Sequence, residues 1–332
     1  MKTLPIHLKN LPFSITKYTP YTKYFSGCEE MENQKGKKVL VIINPCSGRY
    51  TLKKQLWHIA DMFTKAGFET TVYTTQKRGD ATEYAKLLAD KFDLIVCRGG
   101  DGTFNETVNG VIQSGIEIPI GYIPSGTTND FAASIGVPTD AQKAIDLICE
   151  VEPKFHDMGQ MNNERYFCYT ASFGIFTKAS YSVSQSVKNA FGYPAYFVAG
   201  LKELKGFKPF AMRIECDNDV YEGEYAFGAI SSSLSIGNII KYKREDIDFD
   251  DGLFELNLAK MPHGAKMWTE RAKELLIQHK YNEDMFTLTK GSHFVVECLD
   301  CELPWTLDGE YGGTYKIAEF DCRKHAVKVY RS

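Results

Sequence analysis

The run Gly99-Gly100-Asp101-Gly102-Thr103 places one carboxylate and one hydroxyl among three glycines. Glycines let backbone N–H groups approach phosphate oxygens with no Cβ in the way. A carboxylate in the middle of such a run repels bare phosphate, so Asp101 points to a divalent cation held between it and the phosphates. The run lacks the Lys of a P-loop and the GxGxxG spacing of a dinucleotide loop. Two more turns carry the same residue types: Asn44-Pro45-Cys46-Ser47-Gly48, and Pro124-Ser125-Gly126-Thr127-Thr128-Asn129-Asp130. One glycine turn is ordinary turn chemistry. Three of them, each bearing Ser, Thr or Asn, make a phosphate cradle if the fold brings them together.

The elements around these turns predict that it does. Residues 37–43 form a β-branched run, 52–66 place Leu56, Ile59, Ala60 and Phe63 at helical spacing, and 68–75 read as a strand. A helix over 80–91 follows, then a nearly all-apolar strand at 92–97, a helix over 103–114 and a strand at 118–123. Strands alternating with helices predict a parallel sheet with crossover helices, its strands covered on both faces. In that sheet each glycine turn follows a strand, so all three converge on one edge, where helix N-termini favour anions. A helix over 141–149 closes this part. Beyond it, alternating segments at 166–172, 211–216, 225–232, 253–258 and 293–297, separated by Asp/Gly/Asn turns, predict an antiparallel β domain, with a helical segment at 183–210. The expected fold is therefore α/β plus all-β: a Rossmann-like nucleotide domain over 37–140, then a β-sandwich over 141–320. Residues 1–36 are an unpatterned extension, and a return of 321–332 to the first domain is left open. Met31, just before the first strand, is an alternative start.

The ordered set Asn44-Pro45-Cys46-Ser47-Gly48, residues 74–81 (TTQKRGDA), residues 99–106 (GGDGTFNE), residues 126–132 (GTTNDFA), residues 250–254 (DDGLF) and residues 307–310 (LDGE) resembles the diacylglycerol kinase catalytic-domain family. The match is best to its soluble bacterial lipid kinases. The resemblance covers about residues 37–330 and implies an ATP- and Mg²⁺-dependent kinase acting on a lipid hydroxyl, with diacylglycerol as the expected acceptor. It implies nucleotide contacts from Asn44, Pro45, Ser47, Gly48, Thr75, Gly99, Gly100, Asp101, Gly102, Thr103, Phe104, Asn105, Glu106, Gly126, Thr127, Asn129 and Asp130. Asp101 is expected beside the catalytic metal, with Asp130 and Asp157 extending a carboxylate network around it. The resemblance also implies a general base at Asp308 or Glu310, and a second, structural cation at Asp248, Asp251 and the Leu253 carbonyl. Where many relatives have a small residue in the third loop, this chain has Thr128. Other lipid alcohols and sphingoid bases fit the same nucleotide motifs. NAD kinases share a similar glycine loop, and a non-catalytic lipid or nucleotide sensor is the alternative of a different class.

Composition narrows the setting. A formal net charge of −3 gives no general attraction to nucleic acid. No apolar run nears the roughly 20 residues of a membrane-spanning helix. Nine cysteines, mostly scattered through apolar runs, read as reduced thiols in a cytoplasmic protein, and the lone Cys298/Cys301 pair has no second pair to complete a zinc site. A lipid kinase of this kind must meet its substrate from outside the bilayer. Residues 189–210 interleave aromatics with Lys202, Lys205 and Lys208, a mix suited to an anionic membrane surface. Amphipathic core packing is the competing reading of that stripe. A homodimer is compatible with this frame.

Overall fold

The computed structural model describes residues 36–48, 52–175, 208–236, 240–260 and 286–332. Met31 and most of 189–210 lie outside them.

The first region begins with β1 (Lys38–Ile43), α1 (Leu52–Lys65), β2 (Glu69–Thr74), α2 (Asp80–Leu88), β3 (Leu94–Gly99), α3 (Asp101–Ser114) and β4 (Pro119–Pro124). Strand β1 pairs in parallel with both β2 and β3, and β3 pairs in parallel with β4, giving the spatial order 2-1-3-4. Chain direction across the sheet reverses between β1 and β3, and crevices at such switch points are where open α/β sheets bind ligands. Every residue of β3 is buried, as the continuous apolar run requires. Helices α2 and α3 pack so closely that a β-carbon on Gly110 would stand 2.4 Å from the Thr82 carbonyl oxygen. A short helix α4 (Asp130–Ser134) and α5 (Ala141–Glu150) follow. The side chain of Asp140 caps α5 by accepting from Lys143 N.

The second region is antiparallel. It comprises β5 (Lys154–Met161), β6 (Arg165–Phe167), β7 (Thr170–Gly174), β8 (Phe210–Cys216), β9 (Asp219–Ser231), β10 (Ser235–Ile236), β11 (Ile240–Lys241), β12 (Phe254–Lys260), β13 (Phe286–Gly291), β14 (His293–Cys298), β15 (Leu303–Leu307), β16 (Glu310–Tyr315) and β17 (Ile317–Val329). Strand β9 belongs to two layers. Its first half pairs with β8, and its second half pairs with β7 on one side and β12 on the other. The β8–β14–β17–β5–β6 layer therefore folds over the β13–β12–β9–β7–β15–β16 layer. Aromatic side chains bridge the two: Phe167 meets Phe254 edge-on at 5.6 Å, and Trp305 lies 4.6 Å from Phe320.

Strand β17 joins the regions. It pairs with β14 and β5 along most of its length, and at Lys328 and Val329 it runs parallel to β4. The hydrogen-bonded sheet is thus continuous from β2 to β16. Several observed elements differ from the sequence reading. Helix α3 starts at Asp101 rather than Thr103, because Gly100 supplies the extended N-cap. The strand expected over 166–172 is broken into β6 and β7 at Cys168 and Tyr169, whose amides turn away from the ladder to a side chain described below. Helix α4 and strands β5, β16 and β17 lacked a clear periodic signal. Of the helix expected over 183–210, only 208–210 are described, and Phe210 there begins β8.

Candidate active site

Each glycine turn stands at the C-terminal end of its strand, and side-chain hydrogen bonds lock the three together. Asn44 N donates to the Arg98 carbonyl (2.9 Å), which ties the end of β1 to the end of β3. Asn44 Nδ2 donates to Thr103 Oγ1 (3.0 Å), and Asn44 Oδ1 accepts from Cys46 N (2.9 Å). The Ser47 hydroxyl lies 2.8 Å from that of Ser125 in the third turn. Gly100 and Gly126 approach backbone to backbone: a β-carbon on Gly126 would sit 2.7 Å from Gly100 Cα. Asn129, at φ 52°, closes the third turn by accepting from Gly126 N and donating to the Gly126 carbonyl. Thr75 is buried, its N–H on the Ile43 carbonyl, while Thr127 is exposed. At the start of α3, the Gly100 carbonyl takes the N–H groups of Thr103 (3.0 Å) and Phe104 (3.1 Å), while those of Asp101 and Gly102 precede any intrahelical acceptor.

The carboxylates come from both regions. Asp101, the first residue of α3, accepts from Asp130 N at Oδ2 (3.0 Å) and from the Tyr122 hydroxyl at Oδ1 (3.3 Å). Burial, followed by the nearby charges of Asp130 and Asp308, pushes its carboxyl up to about 7. Phe104 stacks on Phe131 at 4.8 Å and tilts against Tyr122 at 4.5 Å, with Tyr122 and Phe131 6.5 Å apart, so the helix start rests on an aromatic cluster. Fully buried His156 meets Phe131 edge-on, and burial pushes its imidazole down to about 3, leaving a neutral ring in this layer.

The β15–β16 hairpin crosses to the same place. Leu307 pairs with Glu310, and the two residues between them, Asp308 and Gly309, have φ of 48° and 81°. That is the two-residue type I′ turn for which Asp-Gly is a preferred sequence. Its two carboxylates have opposite environments. Asp308 is buried and accepts from Cys168 N (2.6 Å), Tyr169 N (3.0 Å), Thr170 N (3.1 Å) and Asn105 Nδ2 (2.9 Å). These bonds break the β6–β7 strand and clamp α3 to the second region. Burial raises the Asp308 carboxyl, and the four donors pull against it. Glu310 is half exposed, with Oε1 4.0 Å from where a β-carbon on Gly102 would stand and Oε2 3.5 Å from Arg78 Nη2.

The residues expected at the glycine loops thus gather at one sheet edge with Asp308 and Glu310. Asp157 has its hydrogen bonds on other partners. Its Oδ2 accepts from Gly252 N (2.6 Å) and its Oδ1 from His325 N (2.7 Å), placing it beside the Asp248–Leu253 turn instead. That turn is crowded with cations. Arg331 Nη2 holds Asp250 Oδ2 at 2.9 Å, Lys324 Nζ donates to the Asp251 carbonyl, and Lys290 Nζ lies 3.9 Å from Asp251 Oδ2. Asp251 Oδ1 accepts from Leu253 N. Glu106 contributes its backbone carbonyl to Thr82 Oγ1. Sequence reasoning missed Tyr122 and the Arg78–Glu310 contact. Tyr122 carried a faint signal, a hydroxyl inside an apolar strand two residues before the third turn.

A parallel sheet with three locked glycine turns at its switch point, met by a carboxylate hairpin from a second region, is the frame of a nucleotide-dependent phosphotransferase. The diacylglycerol kinase catalytic domain matches residues 38–161. A diacylglycerol kinase of Bacillus subtilis is 36% identical over 83% of this chain and 91% of its own length. One from Staphylococcus carnosus is 34% identical over 89% of this chain and 95% of its own. A solved structure from Bacillus anthracis superposes with a TM-score of 0.76 at 25% identity, covering 90% of this chain and 96% of that one. This chain belongs to the diacylglycerol kinase family.

The raised Asp101 carboxyl makes stability depend on pH. Its folded value of about 7 exceeds the ordinary 3.8, so the folded protein binds this proton more tightly than the unfolded chain. The resulting stabilisation is full below about pH 4 and fades as pH rises toward about 7. Urea unfolding of wild type and Asp101→Asn between those limits should show the wild type losing stability relative to the variant. A constant difference across the range would mean that Asp101 titrates normally.

Proposed function

We propose that this chain transfers the γ-phosphoryl group of ATP to the hydroxyl of diacylglycerol, forming phosphatidic acid, with Glu310 as the general base. The contrast between the two carboxylates of one turn carries the choice of base. Asp308 spends its oxygens on four donors and acts as an anchor. Glu310 faces solvent over the start of α3 and has acceptor capacity to spare. In the step, the lipid oxygen bonds to the γ-phosphorus as the bond from that phosphorus to the β,γ-bridging oxygen breaks. ADP departs with that electron pair, and the hydroxyl proton passes to Glu310.

On the nucleotide side, the backbone of Gly99, Gly100, Gly102, Thr103 and Gly126 lies against the phosphates. Asn44, Pro45, Ser47, Gly48, Thr75, Phe104, Asn105, Glu106, Thr127, Asn129 and Asp130 hold and shape that cradle. Asp101, with Asp130 and Asp308 close enough to raise its carboxyl, is an anionic cluster that suits a hard divalent cation, Mg²⁺ in this reading. Such a cation, when bound, neutralises charge on the phosphates. Turnover of radiolabelled ATP against a panel of diacylglycerol, sphingoid bases and NAD tests the assignment. Diacylglycerol should be labelled, and Glu310→Gln should cost about 10²- to 10⁴-fold in kcat. Labelling of NAD alone overturns the lipid reading, and full activity in the Glu310 variant removes the base.

Asp248, Asp251 and the Leu253 carbonyl are the proposed ligands of a second, structural cation. Their oxygens suit a hard ion, but Lys290 and Lys324 already bring positive charge to the turn, so binding there is weak. Millimolar Mg²⁺ should raise the melting temperature of the wild type more than that of Asp251→Asn. Equal shifts in the two proteins remove this site.

No helix among the described residues is long and apolar enough to cross a membrane. We propose, from the aromatic and Lys composition of 189–210, that the acceptor lipid is met at an anionic bilayer surface by a peripherally bound, cytoplasmic enzyme through that segment. Lys205→Glu with Lys208→Glu should reduce co-sedimentation with phosphatidylglycerol vesicles, and undiminished sedimentation removes that segment from the contact. A homodimer belongs to the same proposal, and the sedimentation coefficient without vesicles reads it.

A further inference from the structure

The β2–α2 turn is held in shape by one buried carboxylate. Asp80 Oδ2 accepts from Gln76 N (2.7 Å) and Lys77 N (3.0 Å), and Gly79 adopts φ 90° just before the helix. These bonds, with the Gln76 N–H first among their effects, hold the Asp80 carboxyl below its ordinary range. The braced turn carries Arg78 toward the cradle, where its side chain is 76% exposed and its guanidinium lies 3.5 Å from Glu310. The glycine loop itself has no Lys or Arg between Gly99 and Glu106, so it offers the phosphates peptide dipoles but no cationic side chain.

Resting on Glu310 as the base, we propose that Arg78 is a direct ligand of the terminal phosphate of ATP, and that this phosphate takes the guanidinium from Glu310. For transfer, the acceptor hydroxyl must lie between Glu310 and the γ-phosphorus. A cation beside Glu310 on a long, exposed side chain can swing to an equatorial oxygen of the transferring group. The exchange is favourable because an exposed carboxylate–guanidinium pair at this distance is weak. A phosphate offers the planar fork two acceptors and a higher charge. One guanidinium then does two jobs. It neutralises charge on the group being transferred, and its departure leaves the base free to accept a proton.

ADP lacks the phosphate that Arg78 contacts, and this makes the proposal measurable without turnover. Calorimetric titration of the full chain with Mg-ATP and Mg-ADP should show Arg78→Ala weakening ATP binding about tenfold while ADP changes by less than about twofold. Arg78→Lys should restore part of the ATP affinity, since an ammonium keeps the charge and loses the fork. Glu310→Gln removes the competing carboxylate and should tighten ATP but not ADP. Equal loss for both nucleotides in Arg78→Ala, or no loss for either, overturns the proposal. Failure of the base assignment has a separate signature: Glu310→Gln then retains turnover while Arg78→Ala still discriminates ATP from ADP.

Discussion

The buried carboxylate of Asp308 is the interaction on which the site depends. It sits in a two-residue hairpin turn, accepts three successive amides from the β6–β7 break and takes a fourth hydrogen bond from Asn105 on α3. A desolvated carboxylate is costly, and it is tolerated only where donors fill its oxygens. That requirement fixes three segments at once: the interrupted strand, the hairpin carrying Glu310, and the helix that begins at the glycine run. Loss of any one donor leaves a partly unsatisfied charge in the interior, so the two regions are held in register by a strict local condition.

Around this anchor, the site separates its charges by environment. Asp101 is packed on aromatics, and burial with the charges of Asp130 and Asp308 pushes its carboxyl up to about 7. Glu310 stands in solvent beside a guanidinium. The same chemical group thus sits in two opposite settings, desolvated among other carboxylates at the floor and solvated beside a cation at the mouth. The glycines between them contribute proximity: side chains at Gly100 or Gly126 would force the two loops apart, and the cradle with them.

Local chemistry made the nucleotide half legible in the sequence. A β-branched run followed by Gly, Ser, Thr or Asn marks a strand end and its turn, and three such pairs in order identify the sheet edge. The Asp-Gly pair at 308–309 likewise announces a hairpin. Long-range contacts were not legible. Nothing near Cys168 shows that its amide will serve a carboxylate on β15–β16, so a continuous strand was the natural reading there. Asp157 resembles a member of the metal network by its motif, yet its partners come from Gly252 and His325, far along the chain. Tyr122 reads as core until the fold brings Asp101 to its hydroxyl. The second region was legible as antiparallel from its alternation, while the sharing of β9 between layers was not, because strand length alone does not reveal a change of partner.

Strand β17 has a consequence for how the protein matures. The parallel sheet has β4 at its inner edge, and the strand that covers that edge is synthesised long after it. Until then, β4 presents unpaired peptide groups beside an apolar surface, the kind of template on which strands from other chains can pair. Closing that edge requires a contact of very large sequence separation, and such contacts slow folding because the loop must be ordered before it is rewarded. The parallel sheet therefore gains its last neighbour, at Lys328 and Val329, only when nearly the whole of this sequence has been made. Protection of its exposed edge, by speed or by a chaperone, is a demand that this topology places on the cell.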